Sequence, residues 1–119
     1  MKKLIFVGAC LFSLLQAAIG HAANLSGYGL PSIQEREKYD EVRSKMLKNG
    51  WSPYHAPDAL ECQNGDKRCV GKPEMEACSD VEQAPCAWLW KKGNKYVVVH
   101  TVYGDSADIY VNVMKYTKR

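Results

Sequence analysis

Cys62, Cys69, Cys78 and Cys86 constrain this 119-residue chain more than any other feature. They form an even set, spaced seven, nine and eight positions apart, in a stretch dense in Pro, Gly and Asp. In a short exported chain such a set reads as two disulfides, because a small domain buries too little apolar surface to be stable on its core alone. Four cysteines allow three pairings, and chain entropy hardly separates them: roughly 2.5 kcal/mol for each local bridge against roughly 3 for a crossed one. The local pairs, Cys62 with Cys69 and Cys78 with Cys86, are favoured because short loops close fastest. Each loop also carries turn residues, Asn64-Gly65-Asp66 in the first and Ala84-Pro85 in the second. Structural zinc usually takes two closely spaced C-x2-4-C pairs, which these spacings do not supply, so neither a metal nor a cofactor is expected.

Disulfides need export, and the N-terminus carries the signal for it. Met1-Lys2-Lys3 is a positive start, residues 4–19 are apolar but for Gly8, Cys10, Ser13 and Gln16, and Gly20-His21-Ala22 sets small residues before a cut. A signal peptide over residues 1–22 is expected, cleaved between Ala22 and Ala23, with the bond after Ala23 as second choice. A retained membrane helix fits less well, since the apolar stretch falls short of ~20 residues and no basic stop follows. Val7-Gly8-Ala9-Cys10 looks like a lipidation box, but it would leave only residues 1–6 before it and an unexplained apolar tail from Leu11 to Ile19. Cleavage removes Cys10, Lys2 and Lys3, so fourteen basic residues face thirteen acidic ones and the mature charge is +1. No basic stripe or basic-aromatic patch is present, and Lys91, Lys92 and Lys95 read as a solvated hairpin tip, so nucleic acid is not an expected partner. The expected location is the periplasm or the exterior, with no membrane span after cleavage.

What remains is long enough for one domain and too short for two. Residues 23–31, with Gly27 and Gly29, are expected to be a flexible N-terminus, and residues 32–119 a single domain. Ser32-Ile33-Gln34-Glu35 fits a capping box and predicts a helix from Ser32 to Lys48, stopped by Asn49-Gly50, with a Glu41 to Lys45 ion pair. Its buried stripe is Ile33, Tyr39, Val42 and Met46, with Leu47 beside it. Trp51 to Tyr54 reads as a short extended piece ahead of a long disulfide-braced loop over residues 56–85. Three strands follow, Cys86 to Lys91, Lys95 to Tyr103 and Asp108 to Tyr116, joined by turns at Lys92-Gly93-Asn94 and Gly104-Asp105-Ser106. The fold class expected is α+β: one N-terminal helix packed across a three- to four-stranded antiparallel sheet.

Gly50-Trp51-x-Pro53, Cys62-x6-Cys69-x-Gly71-x-Pro73-Glu74-x3-Cys78 and Ala84-Pro85-Cys86-x3-Trp90 together resemble a group of small exported proteobacterial proteins of uncharacterised function. The resemblance covers Tyr39 to Trp90 and implies a shared fold but no reaction or ligand.

Catalytic signals are weak. His55 stands alone, His100 with Asp105 and Ser106 straddles a turn without a nucleophile elbow, and Glu74 with Glu76 lies in a cysteine-rich loop where acidic residues are ordinarily solvated. No enzyme is expected. A non-catalytic binding protein is the favoured reading, an inhibitor or immunity-type factor acting on another envelope or secreted protein. Trp88, Trp90, Tyr96, Tyr103 and Tyr110 are the candidate binding surface, as aromatic anchors on a rigid sheet. The alternative is a small-ligand or glycan-binding module, weakly catalytic at most, with the same aromatics lining a cleft.

Overall fold

In the computed structural model, which describes residues 25–105 and 107–117, the elements in chain order are α1 (Tyr39–Lys48), β1 (Ser52–Pro53), β2 (Met75–Cys78), β3 (Cys86–Lys92), β4 (Lys95–Gly104) and β5 (Ala107–Lys115). The expected signal peptide and its cleavage site lie outside the described residues, as does Ser106. β3 is the centre of the sheet. It pairs along its whole length with β4, which pairs in turn with β5, and its other edge is shared by β1 at Trp90 and Lys91 and by β2 from Cys86 to Trp88. All pairings are antiparallel. The fold is α+β, with five strands where three or four were expected. β2 arises within the stretch read as loop: its few residues lack a long alternating pattern, and what makes them a strand is the ladder that β3 offers them.

The β3–β4 register decides which side chains share a face. Trp88 lies opposite Val99, Trp90 opposite Val97 and Cys86 opposite Thr101, and this face carries the main core. α1 covers it with Tyr39, Val42 and Met46, all buried, and the Tyr39 ring stacks on Trp88 with centroids 4.2 Å apart. The reverse face carries Leu89 and Val98, sealed by Tyr54, Ala56 and Ala59 of the chain leaving β1. Leu47, expected beside the buried stripe, is 45% exposed. The two-residue hairpin between Lys92 and Lys95 has Gly93 at a positive φ of 61°, the conformation that such a turn requires at its first position.

The helix begins at Tyr39 and not at Ser32, and no capping box forms. The end of this segment is claimed by the free edge of β5 instead: Lys38 bridges Ile109, and the Tyr110 N–H donates to the Glu37 carbonyl at 2.7 Å. The Glu37 carboxylate accepts the Gln34 N–H and pairs with Lys45, which also reaches the Ser32 carbonyl, so Lys45 is held by Glu37 in place of the Glu41 partner expected. Ile33 still packs against the main core from this extended segment, and Leu25, Tyr28 and Leu30, in the stretch expected to be loose, pack there too. Apolar side chains in an irregular segment gain burial without helical periodicity. At the other end the stop is as expected: the Gly50 N–H donates to the Leu47 carbonyl and the Trp51 N–H to the Met46 carbonyl, with Gly50 at φ 87°.

The helix register is directly testable. Met46→Ala should cost about 2–5 kcal/mol in urea unfolding, whereas Leu47→Ala should stay within about 0.5 kcal/mol; equal costs would place the wrong face inward.

Candidate functional site

Two disulfides, Cys62–Cys69 and Cys78–Cys86, close the local loops as expected. Cys78 and Cys86 are also register partners on β2 and β3, so the second bridge staples the loop between them, residues 79–85, to the sheet. Arg68 joins the two loops. Its Nε donates to Asp66 Oδ1 and its Nη2 to Asp66 Oδ2 and Asp80 Oδ1, while Nη1 donates to the carbonyls of Ser79 and Ala84 at 3.2 Å each. All five guanidinium N–H groups are thus used inside the protein. The bidentate bond from Arg68 holds the Asp66 carboxyl below its ordinary range, and the aspartate raises the guanidinium in return. Gln83 and Ala84 adopt left-handed conformations, φ 69° and 41°, uncommon outside glycine and pinned here by Arg68 on the Ala84 carbonyl and by the Tyr103 N–H on the Gln83 carbonyl.

Between these loops, the start of α1 and the β4–β5 turn lies a cleft of about 1090 Å³. Tyr103, 47% exposed, stands on its wall, and Val81, 65% exposed, lies in the loop tied to it. Asp108, only 8% exposed, lines the cleft from β5. Its Oδ2 accepts from the Thr101 hydroxyl at 3.0 Å, and that hydroxyl accepts from the Trp88 indole N–H at 2.9 Å. Its Oδ1 is buried and has no hydrogen-bond partner. Burial pushes the Asp108 carboxyl up, with the Thr101 hydrogen bond and the charges of Arg68 and Lys72 acting against the rise and that of Asp66 adding to it.

The aromatic surface expected from the sequence does not exist as a unit. Trp88 and Trp90 are fully buried, and Trp51 joins them in the main core, hydrogen-bonded through its indole to the Gly29 carbonyl. Tyr110 packs against that core, while Tyr96 lies on the reverse face, edge-on to Tyr54 at 5.1 Å. Only Tyr103 of the five reaches the cleft. The physical reason is the pairing of β3 on both edges with a helix over one face: a tryptophan pointing at the helix from the middle strand has nowhere to go but the core.

Other candidate residues separate as well. Glu74, read as solvated, is fully buried, accepting from the Tyr39 hydroxyl at 2.9 Å and from Arg43, whose Nη2 lies 3.4 Å from Oε2. Burial and the Glu74 charge raise the Tyr39 hydroxyl well above its ordinary value. Glu76 acts electrostatically on His100 on the reverse face, so the two glutamates do not form a carboxylate pair. Burial lowers His100, and His55 Nδ1 lies 3.1 Å from the Pro73 carbonyl. Among the described residues, no group of three or more metal-ligating side chains converges, and no helix is long and apolar enough to cross a membrane.

No protein-family model, curated protein or solved structure matches the chain.

Because Asp108 is raised from 3.8 on folding, the folded chain holds its proton to higher pH than the unfolded chain does. The stability linked to that proton is complete below pH 3.8 and is lost as pH rises through the folded-state value. Asp108→Asn keeps an acceptor for Thr101 and lacks this loss, so its stability relative to wild type should rise with pH across that window. Urea unfolding of both proteins over a pH series measures the difference; a difference independent of pH would contradict the assignment.

Proposed function

We propose that the protein is a non-catalytic binding protein of the periplasm or the exterior, which seats a segment of another exported protein in the cleft between its disulfide loops. The observation that carries this reading is the pre-organised cleft wall. Arg68 spends every donor on tying the two loops together, one bridge closes the first loop on itself and the other staples the second to the sheet, so little conformational freedom remains to be lost on association. Tyr103 on this wall and Val81 in the loop bonded to it expose apolar surface. Exposed apolar side chains on a braced loop are the pattern of a recognition surface. An inhibitor or immunity-type role suits such a surface, since blocking another protein needs rigid complementarity and no chemistry.

The two disulfides support a life in an oxidising compartment, and the signal-like N-terminus agrees with it. The resemblance to small exported proteins adds to the location and nothing to the activity. A glycan or small-ligand module is the weaker reading, because stacking on a sugar calls for exposed aromatic faces. Tyr39, the other aromatic side chain bordering the cleft, is buried.

Affinity capture from envelope fractions, with the partner identified by mass spectrometry and its affinity then measured, tests the reading. Tyr103→Ala with Val81→Ser should weaken the purified complex by about tenfold or more without changing the unfolding midpoint. Undiminished affinity in that double variant would remove the cleft as the recognition site.

A further inference from the structure

One buried polar atom beside the cleft has chemistry that the fold leaves unfinished. Asp66 and Asp80 are bonded to Arg68, and Asp40 lies 3.4 Å from Lys72. Arg68 has no donor to spare. Asp108 differs from these wall residues. It is more than nine-tenths buried, one oxygen is fixed by the Thr101 and Trp88 chain, and the other, Oδ1, meets no donor although the residue lines the cleft. A buried carboxylate oxygen without a partner is costly, and a protein that keeps one beside a cleft gains that cost back when a ligand supplies the donor.

We propose that Asp108 is the anchor for a lysine side chain of the partner protein, inserted end-on into the cleft with its ammonium on Oδ1. This rests on the reading of the cleft as a protein-binding site and gives that site its chemistry. The ligand class follows from the geometry. An arginine fork bonds best to both oxygens of a carboxylate, and here Oδ2 is already occupied by Thr101. An ammonium needs a single acceptor, and it sits at the end of an unbranched tetramethylene stem that can reach a recessed oxygen. The apolar surface of Tyr103 on the cleft wall, with Val81 in the loop bonded to it, is suited to the stem and to the neighbouring residues of a polypeptide, which a free amine or inorganic cation would leave uncovered. The other charges on the cleft wall are of both signs, Asp40 and Glu41 beside Lys38, Lys67 and Lys72, so the wall itself selects no strongly charged segment.

The test uses protein expressed from the full chain and purified with both disulfides formed. Nα-acetyl-lysine methylamide is titrated against it, with the norleucine analogue as the uncharged isostere and the arginine analogue as the rival cation. The readouts are the Trp88 indole N–H resonance, which reports on Oδ2 through Thr101, and the titration of the Asp108 carboxyl by NMR. The lysine probe should shift the indole signal and lower the Asp108 midpoint, since the ammonium favours the ionised form, adding to Arg68 and Lys72 and opposing burial and Asp66. The norleucine probe should do neither. Asp108→Asn should weaken lysine-probe binding by about tenfold, the loss of one charge-assisted bond, and Asp40→Asn by a far smaller factor. Equal response to lysine and norleucine, or equal weakening by both variants, would overturn the anchor, the latter by reducing it to a diffuse acidic field. A stronger response to the arginine probe would overturn the choice of lysine. The wild-type carboxyl titration keeps the question answerable should Asp108→Asn fold poorly. The outcome also separates from that for the cleft as a whole. If Tyr103→Ala with Val81→Ser abolishes partner binding while Asp108→Asn leaves it intact, the cleft stands and the anchor falls. If the lysine probe binds through Asp108 but the Tyr103 and Val81 changes cost the partner nothing, a polypeptide occupant is overturned.

Discussion

Burial of Trp88 and Trp90 from the middle strand is the interaction on which the rest of this structure depends. β3 is hydrogen-bonded on both edges, so its indoles have only the two sheet faces available, and the one they occupy is closed by α1. Stacked on Trp88, Tyr39 fixes where the helix can begin, and Val42 and Met46 follow from helical spacing. Two side chains of this size give a small domain much of its core. The consequence for function runs against the sequence pattern: the largest aromatic residues, which would be the strongest anchors at an interface, are consumed by folding. On the proposed reading, recognition falls to the loops.

Polar groups enter this core along two routes, and both connect the centre of the molecule to its edge. Glu74 sits beneath the helix, held by the Tyr39 hydroxyl and Arg43, and its carbonyl accepts from the Leu89 N–H at 2.7 Å, so the residue ties the loop entering β2 to both layers at once. A buried carboxylate with a guanidinium and a phenol around it is a device for specifying one arrangement more than for adding stability. The second route runs from Trp88 through Thr101 to Asp108 and ends at the unpartnered oxygen beside the cleft. Glu74 is complete and Asp108 is not. That contrast, between two buried carboxylates in one small domain, is the physical basis for assigning a structural role to the first and a recognition role to the second.

Much of the architecture was legible in the sequence because it follows from local rules. The hairpins at Gly93 and Asp105, the three long strands, the helix stop at Gly50 and the short-loop disulfide pairing all rest on residues near one another in the chain. Elements that depend on distant partners were not legible. Ser32 to Glu35 has the composition of a capping box, yet the backbone just after it, at Glu37 and Lys38, is drawn to the edge of β5, more than seventy residues away in the case of Lys38 and Ile109. β2 has no pattern of its own and exists because β3 offers an edge. Glu74 in a loop looks solvated until Tyr39 and Arg43, one helical turn apart, are seen to converge on it. That spacing of a tyrosine and an arginine on the buried side of the helix was the available signal. For Asp108 there was none, since an aspartate at the start of a strand after a turn is ordinary, and its isolation is set by Thr101 and Arg68 from two other segments.

The cleft depends on the compartment through its loops. α1, β4 and β5 are held by hydrogen bonds, ion pairs and apolar packing, whereas the loops that wall the cleft include left-handed Gln83 and Ala84 and are tied to β3 through the Cys78–Cys86 bridge. Conformations of that kind cost on the order of 1–3 kcal/mol each and persist only where their surroundings over-determine them. Here the surroundings are the Cys78–Cys86 bridge, the Arg68 donors to the carbonyls of Ser79 and Ala84, and the Tyr103 N–H on Gln83. Arg68 in turn is aimed by Asp66, which lies inside the Cys62–Cys69 loop. Opening either bridge would release one side of this arrangement, and because all four cysteines also pack in or against the main core it would loosen that core as well. On the proposed reading, the wall that receives a partner is complete only where thiols are oxidised.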